Sequence, residues 1–499
     1  MKQHIIILAL LFSTLLSCGQ QKGKQLSQKE VADLAVEMEG GDNSGDLPWR
    51  LKLKQPLPFS KGGDWFKDAG LGLFIHWGPA SAYYGSPWKM RRPSSKGATT
   101  PMVSYEEYYT TSTKKFKAEN YAPSLWIEAA KKAGFKYVVL TSKHHDGYTL
   151  WPSHHTDFGV QKYLNGKDLI QPYVDAVKEN DLKLGFYYSG VDWYLDRDYM
   201  SLMKTKKGEL NWKGEYVKAN TIPSLPLKII EQKKKIALEL MEKYTPDLWW
   251  WDSGLPLSLE ETAHTYNTDM VFNNRGNVHH KDFKNGPYPG AHYVTPENFH
   301  NVQWKYMKKL QEKGIKWEVC MGINLGYGWF YDGSSKDSER IRDLGDIMFA
   351  AARVRSWGGN LLLNIKPRPD GTLPEENYKM FERMERWMSH SGISFFNVKG
   401  THFPEHSNVP ITTSKDGSIW YIHARPGESK WQKGGFYEHC EPGEPIRIQN
   451  IKNVVSVKLL RTGENVSYQF QNDELVIENP DANPDGLHEV FEVKIKVVQ

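Results

Sequence analysis

Asp252 closes an apolar run, Pro246-Asp247-Leu248-Trp249-Trp250-Trp251-Asp252-Ser253-Gly254. Three tryptophans followed by a carboxylate are a poor choice for stability alone. At the C-terminal end of a barrel strand such a carboxylate can attack or stabilise the anomeric carbon of a sugar. The plainer role is a helix cap or a turn before Gly254. Other apolar runs also end in polar groups: His76, His144 with His145, Tyr187 and Arg275. Imidazole, phenol and guanidinium groups suit a ring of sugar hydroxyls. The His144-His145-Asp146 triplet has metal-ligand residue types. Adjacent residues of a strand point to opposite faces, however, so the pair is a poor chelate and no metal is expected.

Glycoside hydrolysis needs a second carboxyl group, and in retaining enzymes the two stand about 5–5.5 Å apart. Two glutamates follow Asp252: Glu297 in Thr295-Pro296-Glu297-Asn298 and Glu318 in Lys316-Trp317-Glu318-Val319-Cys320. The acid partner needs a raised pKa, which partial burial away from cations supplies. Either glutamate could instead orient a histidine.

These residues need a scaffold that gathers distant loops onto one face. From Trp65 onward, apolar runs alternate with amphipathic stretches. The runs are Gly72–Gly78, Tyr137–Thr141, Leu184–Ser189, Pro246–Asp252, Asp269–Phe272 and Gly359–Asn364. Helices are predicted over Leu125–Ala133 with Ser124 as cap, and over Leu169–Asn180, Leu227–Tyr244 and Leu344–Arg355. Continuous apolar strands alternating with helices imply a parallel sheet buried on both faces. The expected fold is α/β, a (β/α)8-like TIM barrel over residues 59–395. From 396 to 499 short strand-like runs such as Ile419–Ile422, Val454–Leu459, Glu474–Ile477 and Val490–Ile495 predict a C-terminal antiparallel β-sandwich.

With 499 residues there is room for two or three domains. A net charge of +5, with no basic stripe of interleaved aromatics, excludes a nucleic-acid partner. The 13% aromatic content suits both a large core and pyranose faces. Residues 1–17 read as a signal peptide, with an apolar run Ile5–Leu16 too short to span a bilayer. Leu15-Leu16-Ser17-Cys18-Gly19 resembles a bacterial lipobox, which would lipidate Cys18 and hold the protein at the outer membrane. Residues 18–58 then form a polar tether. Cys320 and Cys440 are far apart and predict packed thiols rather than a disulfide framework.

Five ordered stretches together resemble the α-L-fucosidases of glycoside hydrolase family 29: Gly72–Gly78, Lys143–Pro152, Gly185–Ser189, Pro246–Asp252 and Gly358–Asn364. The resemblance covers roughly residues 60–395. It implies retention of configuration, a fucosylated glycan substrate, no metal and no organic cofactor. It implies that Asp252 is the nucleophile and that His76, His144, His145, Tyr187, Trp250 and Arg275 contact the fucose. An apolar wall is needed for the C5 methyl group, and Phe74 and Tyr327 are placed to form it. Glu297 and Glu318 match acid/base positions used in different members, with Glu297 favoured. One stretch departs from the family pattern: after the first strand the chain runs Ser86-Pro87-Trp88-Lys89-Met90-Arg91-Arg92-Pro93. Its cations would suit an anionic, sulfated fucose polymer, although arginines of this kind usually form a solvated face. Rival readings are action on a related glycoside and a catalytically inactive, lipid-anchored carbohydrate-binding protein.

Overall fold

The computed structural model describes residues 63–96, 98–252, 259–275, 291–296, 307, 310–312, 314–326, 328–400, 407–424, 444–479 and 484–496. Cys18, Glu297, Tyr327 and Cys440 lie outside the described residues, as do the leader and the tether.

Eight strands build one parallel sheet. They are β1 (Leu71–Ile75), β2 (Tyr137–Lys143), β3 (Lys183–Ser189), β4 (Leu248–Asp252), β5 (Val271–Phe272), β6 (Tyr293–Val294), β7 (Lys316–Gly322) and β8 (Asn360–Ile365). Their order is β5-β4-β3-β2-β1-β8-β7-β6, with every pairing parallel. A parallel bridge between Asn273 and Tyr293 joins the two ends, and the His292 amide donates to the Phe272 carbonyl at 2.7 Å. The sheet thereby closes into the expected barrel.

Each strand alternates between two dry environments. Phe74, Tyr137, Val139, Tyr187, Leu248, Trp250, Cys320 and Leu362 fill the barrel interior. Their neighbours, such as Leu73, Val138, Trp249 and Trp251, pack outward against the helices. The helix Leu227–Tyr244 shows how that layer is specified. Ile230, Ala237, Leu240, Met241 and Tyr244 recur at helical spacing and are buried. The helix stops at Thr245, which takes a left-handed φ of 46° and returns its amide to the Met241 carbonyl, and Pro246 beyond it cannot continue the helix. Residue 246 then leads directly into β4, so the length of this helix sets where Asp252 emerges.

One sequence expectation needs correction. The helix predicted from Leu125 starts at Pro123 with Ala122 at its N-cap, leaving Ser124 inside the first turn without a capping bond. The fixed φ of the proline does the work assigned to the serine. Strands β6 and β7 carry no clear apolar signal, because β6 has only two residues and β7 starts with Lys316 and buries Glu318.

Beyond the barrel, β9 (Val398–Gly400), β10 (Ile411–Ser414), β11 (Ile419–Ala424), β13 (Val454–Leu459) and β16 (Glu489–Ile495) form a five-stranded sheet. It faces a second sheet of β12 (Ile446–Gln449), β14 (Tyr468–Gln471) and β15 (Glu474–Ile477). Ile422, Phe491 and Val493 from one meet Ile446, Ile448, Leu475 and Ile477 from the other in a shared core. This is the expected antiparallel sandwich.

The sandwich meets the barrel at a buried histidine pair. His423 Nδ1 lies 3.1 Å from His488 Nε2, and both residues are fully buried. Phe395 and Trp387 of the barrel side pack on them, and the Trp387 indole donates to the His488 carbonyl at 2.8 Å. Burial pushes His423 down to about 3. Its native pKa is below the ordinary value, so its contribution to stability is whole above about pH 6.5 and drains away as pH falls toward 3. Thermal unfolding followed between about pH 7.5 and 4.5 should show this loss. His423→Leu should unfold earlier at neutral pH yet lose less on acidification, and parallel curves for the two proteins would refute this account.

Candidate active site

The strand ends converge as the sequence predicts. Asp252 is the last residue of β4 and faces inward with Trp250, whereas Trp249 and Trp251 face the helices. The carboxylate is therefore lined by one indole of the run, not three. Arg275 donates to Asp252 Oδ1 at 2.6 Å, and the Tyr187 hydroxyl donates to Oδ2 at 2.7 Å. His145 Nε2 stands 3.5 Å from the same Oδ2. The Arg275 guanidinium lies over the Trp250 ring, 5.0 Å from its centroid. Burial raises the Asp252 carboxyl, but Arg275, His145 and the Tyr187 hydroxyl outweigh it and hold the group below the usual carboxylate range. Asp252 is ionised throughout the physiological range, as a nucleophile must be.

Three imidazoles form one wall. His76 Nδ1 pairs with Asn364 Oδ1 at 2.5 Å, and His145 Nδ1 pairs with the Ser189 hydroxyl at 2.7 Å. The His144 ring stacks on Tyr187, and its Nδ1 is buried without a partner among the described residues. Burial lowers all three, His76 to about 3 and His145 to about 4, so they are neutral. A neutral imidazole offers one donor and one acceptor, which suits hydroxyl groups.

The strand alternation expected to turn His144 and His145 apart does not hold. β2 ends at Lys143, so His144 and His145 lie in the following turn and lean the same way, with ring centroids 4.3 Å apart. A nitrogen from each, with a carboxylate oxygen of Asp252, falls within 4.8 Å of the others. The physical obstacle is Arg275, whose positive charge already sits on that carboxylate and would repel a cation.

Phe74 lies in the interior as predicted, with ring centroids 4.3 Å from His76 and 5.2 Å from Trp250. The sequence reading missed Trp329 and Phe330. Trp329 stacks on His76, and Phe330 meets the edges of both His76 and His144. The Trp329 carbonyl accepts from Asn364, which links this loop to the His76 partner. It also missed Trp88, whose ring lies edge-on to His145 and Trp193.

Glu318 sits elsewhere. Cys320 and Gly322 separate it from the end of β7, and it is fully buried. It accepts from the Tyr137 hydroxyl at 2.5 Å and from the Trp250 indole at 3.0 Å. Burial pushes its carboxyl up to about 7 against these hydrogen bonds. It therefore supports Trp250 from below. Near Glu297, the described chain runs to Pro296, and the Thr295 amide donates to Asn274 Oδ1 at 3.0 Å, next to Arg275.

A family model for alpha-L-fucosidase matches residues 52–393. The chain is 28% identical over 408 residues to the plasma alpha-L-fucosidase of Rattus norvegicus, covering 76% of this chain and 77% of that protein. It is 27% identical to an alpha-L-fucosidase of Dictyostelium discoideum over 70% of this chain and 73% of that one. Among solved structures, an alpha-L-fucosidase of Bacteroides thetaiotaomicron, trapped as a covalent intermediate with 2-fluoro-fucosyl fluoride in a glutamate-to-glutamine mutant, superposes with a TM-score of 0.67. The two share 21% identity, over 89% of this chain and 99% of that one.

Proposed function

The chain belongs to the α-L-fucosidase family, whose members are glycoside hydrolases, and from that premise we propose that it is a retaining exo-α-L-fucosidase. The observation that carries this reading is Asp252, an ionised carboxylate at the barrel mouth with its oxygens aligned by Arg275 and Tyr187. Asp252 attacks the anomeric carbon as the bond to the leaving oxygen breaks, and Glu297 gives that oxygen a proton. Glu297 then takes a proton from water, which attacks the same carbon and releases Asp252. Two inversions leave the α configuration intact. The covalent intermediate trapped in the Bacteroides relative supports the scheme. The neutral histidines read the ring hydroxyls, while Phe74, Trp329 and Tyr327 shelter the C5 methyl group.

The test is hydrolysis of 4-nitrophenyl α-L-fucoside with the first-formed sugar followed by proton NMR. Initial release of α-L-fucose is expected. Initial β-L-fucose would eliminate double displacement, and no release from any terminal α-L-fucoside would eliminate the activity.

The same reading places the enzyme in the bacterial cell envelope, tethered to the outer membrane by a lipid on Cys18. Support comes from Leu15-Leu16-Ser17-Cys18 after the apolar run. The full chain should incorporate labelled fatty acid and sediment with membranes, and Cys18→Ser should do neither. Equal labelling of both would refute it.

A further inference from the structure

The departure at Ser86–Pro93 folds into a ledge beside the pocket. Trp88 is 37% exposed and touches both His145 and Trp193. Arg91 lies over the Trp193 ring at 5.1 Å, and its charge reaches His145. Arg91 also contacts the Met200 sulfur at 3.8 Å. Met200 borders a cavity of about 140 Å³, lined further by Arg197, Trp212, Lys213 and Ile222. A three-stranded antiparallel sheet, Met203–Thr205, Gly208–Leu210 and Tyr216–Val217, adds Val217 and the turn residues Asn211, Trp212 and Lys213 to the cavity wall. The Tyr216 hydroxyl ties it to the ledge by donating to the Thr99 carbonyl at 2.9 Å.

The charge on these two segments is one-sided. Residues 86–102 and 203–218 contain nine lysines and arginines and two glutamates, an excess above the +5 of the whole chain. Of the acids, Glu209 pairs with Lys204 at 3.9 Å, and Glu215 accepts from Asn211 at 3.0 Å. Asp198, on the cavity wall, accepts from the Trp212 indole at 2.7 Å. Lys206, Lys207 and Lys213 are exposed, and Lys207 and Lys213 lie over Tyr216 and Trp212. Exposed ammonium groups seated on aromatic side chains suit a sugar that carries an anion. Seven of the nine cations are lysines. Each lysine ammonium is a compact point charge on a flexible stem with three donors, which the three terminal oxygens of a sulfate ester can meet from several directions.

We propose that this ledge binds the leaving-group side of a sulfated glycan, so that the enzyme prefers fucose attached to a sulfate-bearing saccharide. The proposal rests on the fucosidase reading. The experiment compares kcat and KM on one fucosylated oligosaccharide in sulfated, desulfated and uronate-bearing forms, beside 4-nitrophenyl α-L-fucoside. At about 20 mM salt the sulfated form should be cleaved with kcat/KM about tenfold above the desulfated form, mainly through KM, and the gap should close near 0.3 M. Combined Lys206→Glu, Lys207→Glu and Lys213→Glu should abolish the preference, read as the ratio between the two substrates within each protein. Cleavage of the nitrophenyl substrate without a sulfate preference would overturn the ledge and leave the fucosidase reading standing. A larger preference for the uronate form would also overturn it. Failure on every substrate would overturn both.

Discussion

Asp252→Asn should lower kcat on 4-nitrophenyl α-L-fucoside by about 10⁴-fold or more, equivalent to roughly 5.5 kcal/mol of transition-state stabilisation. The amide cannot form the fucosyl ester, yet its shape lets its carbonyl accept a hydrogen bond from Arg275 or Tyr187, which now hold the carboxylate at 2.6 and 2.7 Å. The fold should therefore survive, and a near-native melting temperature is the control. Asp252→Gly adds a stereochemical readout. With the carboxylate gone, azide can enter from the vacated face, displacing the nitrophenolate in one step and giving β-L-fucosyl azide. Formation of that inverted product identifies Asp252 as the nucleophile. An Asp252→Asn protein that turns over within tenfold of wild type would remove Asp252 from the mechanism.

The reach of the sequence can be judged from this same carboxylate. It stood out because a fully buried strand has few reasons to end in aspartate, and Tyr187 and Arg275, singled out beside it with His76, are brought onto it by the fold. Strand alternation was harder to apply. Trp249, Trp250 and Trp251 look equivalent in the sequence, but only Trp250 shares the interior with Asp252. His144 and His145 look like strand neighbours pointing apart, but β2 has already ended. Ser189 and Asn364 stood in plain view as the last residues of two recognised runs. Their value as partners of His145 and His76 is a matter of distance across the barrel, which spacing along the chain does not encode. Trp329 and Phe330 were missed because β7, the strand that leads to their loop, hides its pattern behind Lys316 and Glu318.

Glu318 also poses the sharper mechanistic choice, because its carboxyl, pushed up to about 7, has the pKa of a general acid. Its position gives it another role. Its two oxygens accept from Tyr137 and Trp250, and Cys320 and Gly322 lie between it and the mouth. Glu318→Gln should therefore keep turnover within about tenfold. It should destabilise the fold, because one amide oxygen replaces the two that accept from Tyr137, Trp250 and Thr295, and a buried donor left unmet costs about 1–3 kcal/mol. Azide should not rescue it. Glu297→Ala should behave oppositely, with a near-native melting temperature and a loss of about 10²–10⁴-fold on a glycoside with a poor leaving group. On the nitrophenyl substrate the first step needs little acid help, so the fucosyl-Asp252 ester should accumulate. Azide attacks that ester without a general base and should restore turnover, giving α-L-fucosyl azide with retained configuration. The two variants thus differ in stability, leaving-group dependence and rescue. The two azide products, β from the Asp252 variant and α from the Glu297 variant, assign the nucleophile and the acid/base separately. Rescue of Glu318→Gln, with Glu297→Ala fully active, would reverse the assignment and require Glu318 to reach the mouth past Trp250.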